Sequence, residues 1–374
     1  MREGRQAPPT SAVELRALTP PELEALVREL GQPAFRARQI FAWVHGRGAT
    51  SSAVMTNLSK ELRARLAETC SLAPLEIAAE VVAEDGTRKL RLRCADGAAI
   101  ETVLIPGEPR GWEDGEGEGA NAGEGKLTQC LSSQVGCGLG CRFCATATMG
   151  LVRNLSAGEI VDQLYRARAL LADSDRISNL VFMGMGEPLN NLDAVLRAVE
   201  ILGADHGACY SPRRITISTA GVVPGIVELG RRARHVGLAV SLNATTDEVR
   251  DQLMPVNRRW PLEQLLRALR DFPLPRRRRI TFEYVLIAGV NDTPADARRL
   301  PQLLDGLRVK INLIAYNDAG GGEHRRPTDE AVAAFAERLR DKDLATYVRR
   351  SRGAEIAAAC GQLVVEHDRR SSGC

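Results

Sequence analysis

Apolar positions along the chain change period twice, and those changes divide it. In TPPELEALVREL, Leu23, Leu26, Val27 and Leu30 share one helical face, with Thr19 as cap and prolines in the first turn. Further helical stretches run over 35–44 and 58–67, so residues 19–72 read as a small helical accessory domain. Residues 1–18, polar and proline-containing at the outset, read as a disordered tail. Between 73 and 106 the period shortens to two. LEIAAEVVA, KLRLRCA and AIETVLIP alternate around Asp-Gly turns and predict a small antiparallel β segment. From 127 to 363, β-rich runs alternate with helical runs, which predicts a parallel sheet with crossover helices. Strands are expected at 128–135, 178–183, 214–219, 237–242, 280–286 and 310–316, closed by a last strand in ATYVRRS. In LNNLDAVLRAVEIL, Leu189, Leu192, Val195, Leu196, Val199 and Leu202 share a helical face, and Ser156 with Glu159 forms a capping-box pattern. The expected fold class is α/β. Six βα units are too few for a closed eight-stranded barrel, so a partial (βα)6 barrel is expected, with its chemistry at the C-terminal strand ends. Residues 364–374 read as a second disordered tail.

Composition changes this picture in three places. No apolar run approaches the roughly 18 to 20 residues of a spanning helix, and MREGRQAPPT lacks the layout of a signal peptide. A soluble, cytoplasmic protein with no membrane partner is expected. The formal net charge is +3, but GEPRGWEDGEGEGANAGEGK at 107–126 holds seven glycines and six acids against Arg110 and Lys126. That segment carries −4 and the remainder +7, so a basic body bears one acidic, flexible Gly-rich loop. A loop that closes over a site and a merely tolerated insertion are both open. Arginines cluster at Arg231, Arg232 and Arg234, at Arg258 and Arg259 beside Trp260, at 276–279, at Arg325 and Arg326, and at Arg349, Arg350 and Arg352. Arg36, Arg38, Lys60, Arg63 and Arg65 fall on polar faces of the helical domain. Such clusters suit phosphate contact, and equally a solvated arginine-rich surface.

The nine cysteines, an odd number with no export signal, point to metal or thiol chemistry rather than a disulfide framework. Cys137, Cys141 and Cys144 form a C-x3-C-x2-C run just after the first barrel strand. Three thiolates in a Gly-containing loop suit three irons of a 4Fe-4S cluster, leaving the fourth iron open to chelate S-adenosylmethionine and pass it an electron. A zinc knuckle or three structural cysteines are the alternatives. GMGEP at 184–188 follows a strand. Its glycines, Gly186 among them, let backbone approach a ligand, and Glu187 can accept from an ammonium group.

The run resembles the radical S-adenosylmethionine superfamily. CLSSQVGCGLGCRFC, with Cys130 seven residues ahead of the cluster, and RGAEIAAACGQL, with Cys360, resemble the RlmN/Cfr branch of RNA adenine methyltransferases. GQPAFRARQIFAW and MTNLSKELR extend the likeness into the helical domain, so it spans roughly residues 19–363; that domain and the length favour the RlmN side, and the likeness implies that residues 19–72 are an accessory RNA-binding domain. The resemblance implies methylation of carbon 2 of adenosine in 23S rRNA and beside the anticodon of certain tRNAs, using two molecules of S-adenosylmethionine per turnover. It implies that Cys360 takes a methyl group by thiolate displacement, that the derived methylene radical adds to adenine, and that Cys130 attacks Cys360 sulfur to release product as a disulfide forms. Glu101 matches the proton acceptor, although an exposed strand carboxylate is the reading from alternation alone. Ser218, Ser241, Leu242, Asn243 and Asn317 end strands and match cofactor contacts; strand-end capping is their other reading. Two departures stand out: Asn243 replaces a histidine of many relatives, and LIAYNDAGGGEHRRPTDE is Gly-rich where relatives often carry proline and an aromatic.

The implied partners are 23S rRNA, tRNA and a low-potential electron donor such as flavodoxin or ferredoxin, with the protein a monomer. With aromatics at 4%, recognition by RNA shape plus one extruded adenosine is expected over an extended stacking platform. Cys70, Cys94, Cys209 and Cys374 match no role, and His45, His206, His235, His324 and His367 show no ligand spacing. A carbon-8 enzyme of the same branch, a noncatalytic zinc and RNA-binding protein, and a radical enzyme acting on a small molecule are the rival readings.

Overall fold

A computed structural model of the chain describes residues 12–107, 126–317 and 323–365. The acidic loop lies outside the described residues except at its two ends, as do residues 1–11 and 366–374 of the expected tails, with His367 and Cys374.

The N-terminal domain holds α1 (Pro20–Glu29), α2 (Phe35–Phe41), which continues as a π-helical turn over Ala42–Gly46, and α3 (Lys60–Thr69). Thr19 and Glu22 close a capping box on α1, and the Ser59 hydroxyl accepts from the Leu62 amide to start α3. Ten strands then share one sheet: β1 (Glu76–Val82), β2 (Arg88–Arg93), β3 (Ala99–Pro106), β4 (Lys126–Cys130), β5 (Arg176–Phe182), β6 (Ile215–Thr219), β7 (Gly237–Ser241), β8 (Ile280–Leu286), β9 (Val309–Ala315) and β10 (Thr346–Arg349). Their order across the sheet is their order along the chain. β1 to β4 pair antiparallel, whereas β4 to β10 run parallel and are joined by six helical crossovers. Those crossovers carry α4 (Ala157–Arg168), α5 (Leu192–Gly203), α6 (Val223–Ala233), α7 (Asp247–Leu253) with α8 (Leu262–Arg270), α9 (Pro294–Leu303) and α10 (Asp329–Arg340). Runs such as ITFEYVL bury Ile280, Phe282, Tyr284 and Leu286 on one face and Glu283 on the other, as a parallel strand covered on both faces requires. The six βα units form the expected partial (βα)6 barrel.

Five expectations need correction. The run 128–135 is not one strand: β4 stops at Cys130, and Gln134–Gly136 pairs instead with Leu151–Asn154. The break falls at Ser132, whose amide donates to Gln163 Oε1 at 2.9 Å and whose carbonyl accepts from Gln163 Nε2 at 2.9 Å. A side chain thus takes the groups a neighbouring strand would have used. The antiparallel segment is not a separate small sheet but a continuation of the barrel sheet, because β3 is buried from Ile100 to Leu104 and pairs with β4 through Val103 and Cys130. The first tail ends well before residue 18. Val13–Glu14 pairs with Cys70–Ser71, and Arg16, fully buried, meets Asp162 of α4 at 2.8 Å while donating to the Ala49 carbonyl at 2.9 Å. Of the second expected tail, Val364 and Val365 are ordered, and Val365 is buried. The helix expected over 189–202 also starts later, at Leu192, behind a 3-10 turn capped by Glu187.

His45 is another tie between domain and barrel. It is fully buried and shares a 2.9 Å hydrogen bond with Tyr165 of α4. Burial, reinforced by the nearby Arg16 charge, pushes its imidazole down to about 3. Native His45 therefore stays neutral where the unfolded chain takes up a proton. Stability is unaffected above the unfolded value of about 6.5 and is lost progressively as pH falls below it, by roughly 2 kcal/mol at pH 5. Urea unfolding at a series of pH values should show this slope, and His45→Gln should flatten it.

Candidate active site

At the C-terminal ends of the parallel strands lies a cavity of about 160 Å³. Cys137, Cys141, Cys144, Gly186, Glu187, Ser218, Ser241, Asn243, Asn317 and Cys360 all reach its lining. Residues separated by more than 200 positions in the sequence thus meet at one place.

The cysteine loop is shaped by glycine. Gly136 has φ +73°, and a Cβ there would fall 1.9 Å from the Gly150 carbonyl oxygen, so no other residue fits. The Cys137 amide donates to that same carbonyl at 2.8 Å, and Arg142 N–H donates to the Leu253 carbonyl at 3.0 Å, fixing the loop against the end of α7. Burial pushes the Cys137 thiol up to about 11 and raises Cys141 as well; the neighbouring thiols add to the Cys141 shift and Arg250 opposes it.

Glu187 joins two strand ends. Its Oε2 accepts from the Ala220 amide at 2.8 Å, its Oε1 from Leu189 at 3.1 Å, and its own amide donates to Gln134 Oε1 at 2.8 Å. Burial pushes this carboxyl up to about 7 against those amide bonds. Gly186, at φ +101°, leaves no room for a Cβ, which would lie 2.6 Å from the Gln134 Cβ. Asn243 adopts φ +57°, a left-handed position that asparagine and histidine both tolerate. Its Oδ1 accepts from the Val285 amide at 2.8 Å and its carbonyl from Asn291 Nδ2 at 2.7 Å. The departure from histidine therefore falls on a group that already shapes the backbone. Leu242 is wholly buried and does not line the cavity; its carbonyl accepts from Arg250. The Gly-rich stretch after Asn317 lies outside the described residues at 318–322.

Cys360 rides on a C-terminal strap. One end is tied to the β1–β2 turn, where the Gly353 amide donates to Asp85 Oδ2 at 3.1 Å and the Glu84 amide to Glu355 Oε1 at 2.7 Å. The other end grips the cysteine loop through Ala145 N–H to the Gly361 carbonyl and Thr146 Oγ1 to the Leu363 carbonyl, each 2.6 Å. Cys360 is exposed, with its accessible face opening into the cavity, and burial of its other faces pushes the thiol up to about 11, followed by the charges of Glu283 and Cys144.

Cys130 and Glu101 stand behind that lining. Cys130, at the end of β4, is buried; its thiol is raised by burial and next by the charge of Cys360. Glu101 in the middle of β3 is also buried rather than exposed as alternation predicts. Its Oε1 lies 3.3 Å from Lys89 Nζ and its Oε2 accepts from the Val364 amide at 3.2 Å. Burial raises this carboxyl, and Lys89 opposes the shift.

Two site residues were missed. Glu283 of β8 lines the cavity, buried, with Oε1 accepting from Asn312 Nδ2 at 2.8 Å; a lone carboxylate inside ITFEYVL was a legible signal. Arg250 of α7 is fully buried and donates to four acceptors: the carbonyls of Ala220 at 2.7 Å, Ser241 at 3.2 Å and Leu242 at 3.0 Å, and Asn257 Oδ1 at 2.9 Å. In TTDEVRDQL it reads as one more charge on a solvated helix. Cys70 and Cys94 are buried, Cys209 is exposed, and none of them lines the cavity.

Two family models match the chain: the ribosomal RNA large subunit methyltransferase N-terminal domain over residues 13–72 and the radical SAM superfamily over residues 131–300. A Syntrophobacter fumaroxidans protein named dual-specificity RNA methyltransferase RlmN is 49% identical over 349 residues, which cover 93% of this chain and 97% of that protein. A Geobacter sulfurreducens protein of the same name is 49% identical over 351 residues, 94% of this chain and 92% of that protein. This chain belongs to the RlmN family. A crystal structure of a radical SAM methyltransferase from Sphaerobacter thermophilus matches with TM-score 0.84 and 44% identity over 94% of this chain and 99% of that one.

Membership of the radical SAM superfamily implies a 4Fe-4S cluster and S-adenosylmethionine, and the donor set fits them. Among the described residues no three His, Cys, Asp or Glu side chains converge on one metal-ion position. A cluster takes each thiolate on a separate iron, so its ligands stand further apart than those of a single ion. Three thiols around one cavity match that need in an RlmN-family chain. Arg250 gathers the ends of β6 and β7 beneath them. Replacing it with methionine leaves several buried carbonyls without a donor and should cost about 3 kcal/mol of stability. Arg250→Lys should recover less than half of that in guanidinium unfolding, because one ammonium cannot reach acceptors that a planar fork spans.

Proposed function

We propose that this protein methylates carbon 2 of adenosine in 23S rRNA and in tRNA beside the anticodon, by way of a methyl group carried on Cys360. The observation that carries the reading is the placement of Cys360. It opens into the cavity that the three candidate ligand thiols line, and its charge helps to raise the buried Cys130 thiol. An adenine ring carbon bearing hydrogen is a poor nucleophile and does not attack a sulfonium methyl, so the route needs a carrier thiol and radical addition.

Cys137, Cys141 and Cys144 would hold the cluster, and Gly186, Glu187, Ser218, Ser241 and Asn317 would line the seat of S-adenosylmethionine. Glu187 offers carboxylate lone pairs to its ammonium group. Asn243 shapes the same wall, and Leu242 acts on it through its backbone. When bound, the cluster and S-adenosylmethionine supply one-electron cleavage of the sulfonium to a 5′-deoxyadenosyl radical. The low potential of that reduction calls for a donor of the flavodoxin or ferredoxin kind.

The chain's own groups divide the remaining work. Cys360 accepts a methyl group from one S-adenosylmethionine and carries it to the adenine, so two molecules are used per turnover. Glu101 takes the ring proton: its burial favours holding a proton, while Lys89 and the Val364 amide keep the carboxylate form accessible. Once the adduct has given up its unpaired electron to the bound cluster, the Cys130 thiolate would attack Cys360 sulfur; the carbon–sulfur pair would pass to the product carbon, which takes a proton to complete the methyl group, and an external thiol would reduce the Cys130–Cys360 disulfide for the next turnover. Every residue of the site comes from one chain, so a monomer suffices. No helix among the described residues is long and apolar enough to cross a membrane, which suits a cytoplasmic enzyme acting on ribosomal and transfer RNA.

Nucleoside mass spectrometry on RNA from cells lacking and expressing the protein tests the reading. The protein should add 2-methyladenosine to 23S rRNA and tRNA; 8-methyladenosine would move the reaction to the other ring carbon, and neither product would overturn the activity. Purified Cys130→Ala should accumulate a covalent protein–RNA adduct visible as a shifted band, and release of free RNA alone would remove Cys130 from the last step.

A further inference from the structure

A second open groove, of about 360 Å³, lies where the helical domain meets the loop after α5. Phe35, Arg38, Trp43, Arg47 and Asn57 form its helical side, and His206 faces them from the barrel. The spacing of Phe35, Arg38 and Trp43 along α2 and its π-helical continuation brings them to one side.

The groove is built and held. Trp43 Nε1 donates to Asn57 Oδ1 at 2.5 Å, which fixes the indole, and the Arg47 guanidinium lies 4.2 Å from the centre of its ring. Contact between the two walls is close. A Cβ on Gly46 would come 3.0 Å from the His206 carbonyl oxygen, and one on Gly207 would come 2.8 Å from the Phe41 ring. The volume falls in the range of sites that seat small planar ligands.

Its charge is one-sided. Arg38 and Arg47 are exposed, neither has an acidic partner among the described residues, and no acid lines the groove. Indole and phenyl faces beside unpaired guanidinium groups suit the face of a nucleobase together with its phosphates. A folded RNA offers such a group wherever a loop or bulge leaves a base unstacked.

We propose that this groove binds an unpaired nucleotide of the RNA substrate, with the base against the Trp43–Arg47 platform and adjoining phosphates on Arg38 and Arg47. The groove is separate from the cysteine-lined cavity, so it anchors the RNA at a second point and sets which adenosine reaches Cys360. The inference rests on RNA being the substrate, and the test separates the two.

Fluorescence anisotropy with a full-length tRNA transcript and a 23S rRNA hairpin fragment measures binding to the wild type and to the Arg38→Gln/Arg47→Gln double variant. That variant changes only exposed side chains. It should bind about tenfold more weakly at 0.15 M salt, and its log–log salt dependence should be shallower by about 1.4, for two lost phosphate contacts. Trp43→Ala should weaken binding at least fivefold, by the scale of base–aromatic stacking, and Trp43→Phe should restore most of it. Thermal melts and methylation of Cys360 by S-adenosylmethionine alone, read by intact mass, check that the fold and cavity survive. If the wild type binds both RNAs and the double variant binds with the same affinity and salt slope, the groove assignment is overturned and the RNA reading stands. If the wild type binds neither RNA, both fall.

Discussion

One buried carboxylate governs where Cys360 stands. Glu101 reaches from the middle of β3 to the C-terminal strap on both sides of Cys360, directly through the Val364 amide and indirectly through Lys89, whose Nζ also donates to the Ala357 carbonyl at 3.2 Å. An unpaired carboxylate at this depth is strongly unfavourable, so the strap and Lys89 are both needed to keep it there. The dependence runs both ways. The strap has little regular structure beyond one short 3-10 turn, and without Glu101, the Asp85 turn and the cysteine loop it would have almost no fixed partners. Burial of β3 inside the sheet, rather than on a separate small sheet, is what makes this arrangement possible.

A similar economy operates under the cavity floor. A strand's last carbonyls point past the sheet and need donors, and at β6 and β7 a single guanidinium supplies them. Arg250 comes from α7, whose end also receives the Arg142 amide of the cysteine loop. Strand ends, helix and loop are therefore fixed by neighbouring bonds, and Arg142 directly follows Cys141 of the three clustered thiols. Arg16 does comparable work between domains. Its ion pair with Asp162, together with the His45–Tyr165 bond on the same helix, locks the N-terminal domain against the barrel and so fixes the groove they share.

The sequence carried the parallel barrel well because its strands are covered on both faces and read as apolar runs, while its helices keep a clean face. Periodicity failed where a side chain replaced a backbone partner. Nothing local in LTQCLSSQVG distinguishes one long strand from two short ones; the break at Ser132 depends on Gln163, a residue on another element. Polarity misled at the N-terminus for a related reason. Arg16 looks like part of a solvated tail until Asp162, far along the chain, is placed against it.

The active-site residues divide along the same line. Cys137, Cys141, Cys144 and Gly186 were legible because local constraints fix them: a short loop must present three thiols, and a left-handed glycine must clear Gln134. Cys360 and Cys130 carry no local signature, since a cysteine in IAAAC or at a strand end is an ordinary core residue until both are set beside the cluster motif. Glu101 alternated as an exposed position would, and its burial follows only once the C-terminal strap and Lys89 are placed against it. Arg250 and Lys89 went unseen because a lone cation on a helix or strand reads as a solvated surface position. What makes them matter is a count of acceptors around a buried donor, and that count exists only once strands distant in sequence have been brought side by side.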